Sequence, residues 1–281
     1  MSLVTLNSIL SNIGDENYGI GAFNIASMEM VMGAIKAGEE LNAPIIIQVA
    51  EGRLKYSPLH LIGPLMVAAA KEAKIPVAVH LDHGASMEVI EQALKCGFSS
   101  VMFDGSKYPL EENIALTKKV MAMAKPYGAS VEAEIGKVGG SEGNGASVEV
   151  LITSVAEAKR FYVETKVDAL AVAIGTVHGT YKELPNLQFK RLIEIAEIVS
   201  CPLVLHGGSG LTSEDFKMSI NNKIRKINIA TASFENVVKK VTGLANISNK
   251  FTYFQLHDAI LEGMYENVKN HILIFGSNNK A

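Results

Sequence analysis

His80-Leu81-Asp82-His83-Gly84 sets an acid and an imidazole where an apolar run, 75–79, gives out into a loop. A carboxylate next to a metal ligand is the pairing that a bound Lewis acid with its own proton carrier requires. Two further histidines, His178 and His206, close later apolar runs. Asn24, Gln48, Asp104, Glu132, Glu134 and Asn228 fall toward the ends of others. A single histidine at such a place is ordinarily a packed, satisfied residue. Three of them with carboxylates to hand point to a site. Three imidazoles and an open position suit zinc, though imidazole also serves cobalt, nickel and iron. Asp104 and Glu134 are equally suited to a second divalent ion and to orienting the histidines. His60, His80, His257 and His271 read as ordinary structural residues.

Two glycine-rich turns carry the other half of the chemistry. One runs from Gly175 through His178 and Gly179 to Lys182, and the other is His206-Gly207-Gly208-Ser209-Gly210. The second leads directly into a helical pattern, so its free amides and that helix N-terminus can hold a dianionic phosphate. Asn228-Ile229-Ala230-Thr231 brings a side-chain amide and a hydroxyl to the end of the last apolar run. A third glycine-rich stretch, 136–145, is long and poor in apolar residues, as lids and connectors are. Glu142 would be a mobile carboxylate on it or a solvated charge.

These residues need a scaffold that gathers them. Apolar runs at 20–23, 44–49, 76–80, 99–103, 130–135, 169–174, 202–205 and 226–229 alternate with amphipathic segments at 28–41, 59–73, 87–95, 112–125, 155–165, 189–198, 213–220 and 232–240. That alternation predicts repeated strand–helix units and a parallel sheet. Pro44, Pro76 and Pro202 open strands, where a missing amide does no harm. Thr212 with Glu214 and Asp215 marks a helix start. Eight such units close as an α/β (β/α)8 TIM barrel, in which loops at the C-terminal ends of the strands converge. The order is unbroken, so residues 1–281 read as one domain. Residues 253–275 add one or two C-terminal helices that cover the barrel bottom or meet another subunit.

Composition narrows the partners. The 281 residues are 48% apolar and 20% charged, with a formal net charge of −3 and no basic stretch. No nucleic-acid partner is expected, and small polar substrates fit better. Neither a signal segment nor a membrane span is expected. Cys96 and Cys201 lack a CxxC spacing, and a reducing, cytoplasmic setting with packed thiols follows.

Taken together, the chain resembles the class II, metal-dependent ketose-bisphosphate aldolases over nearly its whole length. The likeness rests on the stretches 18–24, 80–84, 103–106, 130–136 with Gly139-Gly140, 173–179, 205–210 and 228–231. The resemblance implies His83, His178 and His206 as zinc ligands, with Asp104 and Glu134 at an alternative or second metal position. Asp82 corresponds to the acid/base at the hydroxyl where the carbon bond breaks, and Glu142 to the lid carboxylate. Gly179, Gly207, Gly208, Ser209, Asn228 and Thr231 correspond to a dihydroxyacetone phosphate site, with Asn24 and Ala230 beside it and Lys182 an added phosphate contact. A monovalent cation, Na+ or K+, near that phosphate and a homodimer or homotetramer are also family features. A metal-dependent hydrolase would show an early HxH pair, and a non-catalytic binder would have lost Asp82 or a histidine; neither pattern is present.

Four positions depart from the family pattern. Ala50 stands where many members have Ser, and Arg53 where a small residue is usual. Ala230 matches tagatose-bisphosphate members, and Phe234 replaces a basic residue that often meets the distal phosphate. The expectation is a ketose (bis)phosphate aldolase keeping dihydroxyacetone phosphate, with tagatose 1,6-bisphosphate ahead of fructose 1,6-bisphosphate and other ketose 1-phosphates.

Overall fold

A computed structural model describes residues 2–140, 150–179, 181, 185–247 and 250–281. Eight parallel strands close into a barrel, each paired with its neighbours in the chain and the last with the first. They are β1 (Ile20–Asn24), β2 (Ile45–Ala50), β3 (Val77–Gly84), β4 (Ser100–Phe103), β5 (Ser130–Ile135), β6 (Ala169–Val172), β7 (Leu203–Leu205) and β8 (Ile224–Ile229). Both faces of these strands are buried, which is why they read as near-continuous apolar runs rather than alternating ones. Pro44, Pro76 and Pro202 each precede the first strand residue, where no ladder donor is required.

Outside the barrel lie α2 (Met28–Glu40), α3 (Leu59–Glu72), α4 (Met87–Lys95), α5 (Leu110–Ala124), α6 (Val155–Thr165), α7 (Phe189–Ala196) and α8 (Ser213–Asn221). Ser27 and Ser86 accept hydrogen bonds from Met30 N and Val89 N, and Thr212 forms a reciprocal capping box with Asp215. Each cap satisfies amides that the helix itself leaves free.

The ends of the chain depart from the expected arrangement. Residues 253–275 form a single helix, α10 (Tyr253–Phe275), packed on α2, α8 and β1. It takes the place in the outer ring that the helix after β8 would occupy. That preceding helix, α9 (Thr231–Ile247), lies against α10 with Ser233 its one buried residue. The barrel bottom is covered instead by a short helix that the apolar pattern does not announce, α1 (Leu6–Ser11). Its Leu6, Ile9 and Leu10 pack with Ile46, Ala78, Ala171 and Val204 inside the barrel.

At the opposite end, β6 stops at Val172 rather than 174. Val177 and His178 then pair in parallel with Gly139 and Gly140 in a separate two-stranded ladder. A Cβ on Gly140 would lie 2.2 Å from the His178 carbonyl oxygen, so this ladder forms only with glycine there. No helix among the described residues is long and apolar enough to cross a membrane. Cys201 is packed, and burial pushes its thiol up to about 12.

Candidate active site

Strict strand alternation sends His80 and Asp82 into the barrel and would send His83 outward with Leu81. The chain avoids this at the end of β3. The register against β4 shifts between Leu81 and Gly84, and His83 adopts φ 45°, a left-handed conformation uncommon outside glycine. The kink turns the His83 ring toward the axis, where its centroid lies 4.6 Å from that of His206 and 4.9 Å from that of His178. Asp82 and His83 thus both turn inward from consecutive positions.

A continuous hydrogen-bond network ties these groups across the barrel. Both oxygens of the buried Asp82 carboxylate accept from amides, Oδ2 from Asn24 Nδ2 and Oδ1 from Asn228 Nδ2, each at 2.9 Å. Each amide is oriented from behind. Gln48 Nε2 donates to Asn24 Oδ1 at 2.8 Å, and Lys226 Nζ donates to Asn228 Oδ1 at 2.6 Å. Lys226 is fully buried and ion-pairs with Glu132 Oε2 at 2.9 Å, while His206 Nε2 donates to Glu132 Oε1 at 2.8 Å. Burial alone would raise the Glu132 carboxyl, but Lys226 and His206 outweigh it and hold it below the ordinary range. His80 reads as expected. It bonds Ser100 Oγ at 2.8 Å, and burial, reinforced by Lys226, lowers its imidazole to about 3 and keeps it neutral.

The donor set fits a divalent cation. His83 Nδ1 donates to Asp104 Oδ2 at 2.9 Å and His206 Nε2 to Glu132, so in both rings the inner nitrogen is left with its lone pair. Those two nitrogens, His83 Nε2 and His206 Nδ1, face each other at 2.9 Å, an arrangement that a positive charge between them relieves. His178 offers a third nitrogen within the same ligand sphere, and His83 with Asp104 and Glu134 forms an overlapping second group. Glu134 Oε2 is buried without a hydrogen-bond partner, 4.0 Å from His83 Nδ1 and from His206 Nδ1. Burial and the neighbouring Asp104 push the Glu134 carboxyl well above its usual range. For Asp104 the His83 hydrogen bond overcomes burial and holds the carboxyl below its ordinary range. His83, Asp104, Glu134 and His178 line one cavity of about 340 Å³ that opens at the C-terminal mouth.

A second, small concavity adjoins the first, with His178 lining both. Its other walls are Asn24, Gly179, Gly207, Gly208, Ser209, Asn228, Ala230 and Thr231. All of the residues expected around a phosphate except Lys182 are therefore gathered in one place. Gly207 sits at φ 70°, and a Cβ there would lie 2.6 Å from Val177 O, so the loop reaches the Val177–His178 ladder only as glycine. One detail differs from the sequence expectation. The N-terminus of α8 is closed by its own Thr212–Asp215 capping box, and the acids there disfavour an anion. The helix whose first turn meets the concavity is α9, beginning at Thr231, where Ala232 N donates to Ser209 Oγ at 3.0 Å. Glu142 and Lys182 lie outside the described residues, as does most of the 136–152 loop.

Sequence reasoning passed over Lys226 and left Glu132 without a role. The signal was present in the spacing. Lys226 and Asn228 share the inward face of β8, and a lysine inside a barrel needs a buried counter-charge, which Glu132 on the inward face of β5 provides. Tyr181 was also missed; its hydroxyl donates to Gly207 O at 2.8 Å and accepts from Val177 N, fixing the cradle to the ladder.

Comparison with known proteins adds to this geometry. The sequence profile of the family described as "Fructose-bisphosphate aldolase class-II" matches residues 4–280. A protein of Bacillus subtilis (strain 168) named "Probable fructose-bisphosphate aldolase" is 38% identical over 285 residues, with all of each chain covered. The fructose-bisphosphate aldolase of Staphylococcus aureus (strain Mu50) is 37% identical over 290 residues, again across both whole chains. The crystal structure of the YdjI aldolase from Escherichia coli K12 superposes with a TM-score of 0.89 at 34% identity, covering 99% of each chain.

Proposed function

The chain belongs to the class-II fructose-bisphosphate aldolase family, and from that premise we propose that it cleaves and forms a ketose (bis)phosphate, with dihydroxyacetone phosphate as the ketone half. It is a class II aldolase, a carbon–carbon lyase, and its family implies a divalent metal. We take zinc as that metal because three imidazoles supply the ligands. His83, His178 and His206 would hold it, with Asp104 and Glu134 placed for a second or displaced ion. A bound divalent cation supplies positive charge for the ketone and adjacent hydroxyl oxygens as negative charge builds there.

The residues divide the remaining work. In cleavage the bond between C3 and C4 of the ketose breaks. Asp82 takes the C4 hydroxyl proton, C4 leaves as the aldehyde, and the electron pair stays on the ketone half as an enediolate. Glu142 is proposed to return a proton to C3, which releases dihydroxyacetone phosphate. Asn24 and Asn228 hold both Asp82 oxygens, so the carboxylate meets the hydroxyl in a fixed orientation. Gly179, Gly207, Gly208, Ser209 and Thr231 are proposed to bind the phosphate through backbone amides, hydroxyls and the α9 N-terminus, with Lys182 and a bound Na+ or K+ adding charge.

The observation that carries this reading is the Asp82 carboxylate held at both oxygens by Asn24 and Asn228, two residues that line the glycine-walled concavity, with the three-histidine group beside it. Tagatose and fructose 1,6-bisphosphates yield the same two fragments and differ in configuration at C4, the carbon whose hydroxyl Asp82 serves. Ala230 beside the cradle favours the tagatose configuration. The test is condensation of dihydroxyacetone phosphate with a panel of aldehydes, with and without a chelator, followed by assignment of the C4 configuration. Chelation is expected to abolish turnover, and Asp82→Ala to cut it about 10²- to 10⁴-fold while metal stays bound. Full turnover in metal-free protein would reject the mechanism, and a product of the fructose configuration would reject the tagatose preference.

A further inference from the structure

An arginine normally arrives at a site with acceptors for its five N–H donors. Arg53 has none. Among the described residues its side chain makes no hydrogen bond or ion pair, and Nε is buried without a partner. Its guanidinium carbon sits over the Phe234 ring, 4.7 Å from the centroid. The acid nearest in sequence is committed elsewhere, since Glu51 accepts from Ala85 N at 2.7 Å, Ser86 N at 3.1 Å and Ser86 Oγ at 2.9 Å.

Barrel order then places this pair. Arg53 follows β2 and Phe234 lies in the first turn of α9 after β8, while β1 runs between β2 and β8 in the sheet. A contact from Arg53 to Phe234 therefore bridges the C-terminal end of β1, where Asn24 holds Asp82. Beneath the bridge Ala50, the register partner of Asp82, offers only a methyl group and no polar atom. The segment is braced as well: Tyr56 N donates to Arg53 O at 2.9 Å and Ser57 Oγ to Ala26 O at 2.7 Å.

We propose that Arg53, stacked on Phe234, recognises an anionic group at the far end of the aldehyde half. This rests on the aldolase reading and deepens it, because the aldehyde is the fragment whose hydroxyl meets Asp82. The planar guanidinium matches two oxygens of a phosphate or a carboxylate, and the aromatic face fixes its plane while leaving the edge free. Stacking also holds the cation in place before the substrate arrives, which reduces the ordering cost on binding.

The experiment compares wild type, Arg53→Met and Arg53→Lys in condensation of dihydroxyacetone phosphate with glyceraldehyde 3-phosphate, succinic semialdehyde and glycolaldehyde. Solvent proton exchange on dihydroxyacetone phosphate is followed alongside. Wild type is expected to prefer one anionic aldehyde in kcat/KM over glycolaldehyde, and the stronger arm distinguishes phosphate from carboxylate. Arg53→Met should reduce that preference about 10- to 100-fold, chiefly through KM, and Arg53→Lys should keep an intermediate part of it. No anionic preference in wild type, or an unchanged preference in both variants, overturns the assignment of Arg53. Absence of exchange together with absence of all condensation would overturn the aldolase reading beneath it.

Discussion

Lys226 is the point where the two halves of the site meet. One branch runs through Asn228 to Asp82 and the other through Glu132 to His206, and the ammonium is fully buried. Replacing it with methionine keeps the length and removes the charge, leaving the Glu132 carboxylate buried without its main counter-charge. Breaking a buried pair in this way costs about 3–5 kcal/mol. Lys226→Met is therefore expected to lower stability by that order, weaken metal binding about 10- to 100-fold in chelator competition, and lower kcat. Unchanged metal affinity would show that Glu132 orients His206 without help from Lys226. His83, His206 and Asp82 could be singled out in the sequence because they stand at or just beyond strand ends. Lys226 was not, because its role follows from facing Glu132 across the barrel, a contact between residues far apart in the chain. The inward turn of His83 was equally hidden, since it depends on a left-handed residue that no glycine announces.

Elements were most legible where local chemistry and tertiary burial agree. The three strand-opening prolines and the Thr212 cap sit within a residue of their expected places. The misses are elements defined by what they touch: α1 is too short to show a period, and the Val177–His178 ladder exists only through its partner strand. The packing of α10 tests how closely the outer ring is fitted. A Cβ on Gly33 of α2 would lie 2.4 Å from the Leu261 carbonyl oxygen of α10, a backbone atom that cannot swing aside. Overpacking of this kind costs about 1–3 kcal/mol, against about 1 kcal/mol gained in helix propensity. Gly33→Ala should therefore destabilise by up to about 2 kcal/mol in urea unfolding, and an increase in stability would mean that the α2–α10 contact is loose.

At the scale of the whole molecule, buried neutral histidines make stability depend on pH. Burial lowers the imidazoles of His80, His206 and His271. His271 is the cleanest probe, being packed among Phe23, Phe216 and Phe275 on the barrel flank, with Nδ1 donating to Asn267 O at 2.8 Å. Its folded value lies below the ordinary 6.5, so below that pH the unfolded chain takes up a proton that the folded chain refuses. Stability is thus intact above about 6.5 and falls as the pH drops toward the folded value, by up to about 1.4 kcal/mol per pH unit from this one group. His271→Phe should flatten urea-derived stability between pH 6.5 and 5.5 by that slope, and an unaltered slope would place the dependence at other groups.

A divalent ion held by the three histidines would couple its binding to folding. His83 closes β3, His178 stands in the ladder after β6 and His206 follows β7, so a cation held by all three joins segments that the unfolded chain keeps far apart. Any ligand bound only by the folded state stabilises it by RT ln(1 + [L]/Kd), about 4 kcal/mol at a thousandfold excess over Kd. Adding zinc to metal-stripped protein should therefore raise the thermal midpoint by several degrees, and cobalt should do so to a related extent. His206→Ala should remove most of that shift while leaving Glu132 paired with Lys226, so the metal-free variant still folds. A full shift in the variant would assign the stabilising ion to the His83, Asp104 and Glu134 group instead.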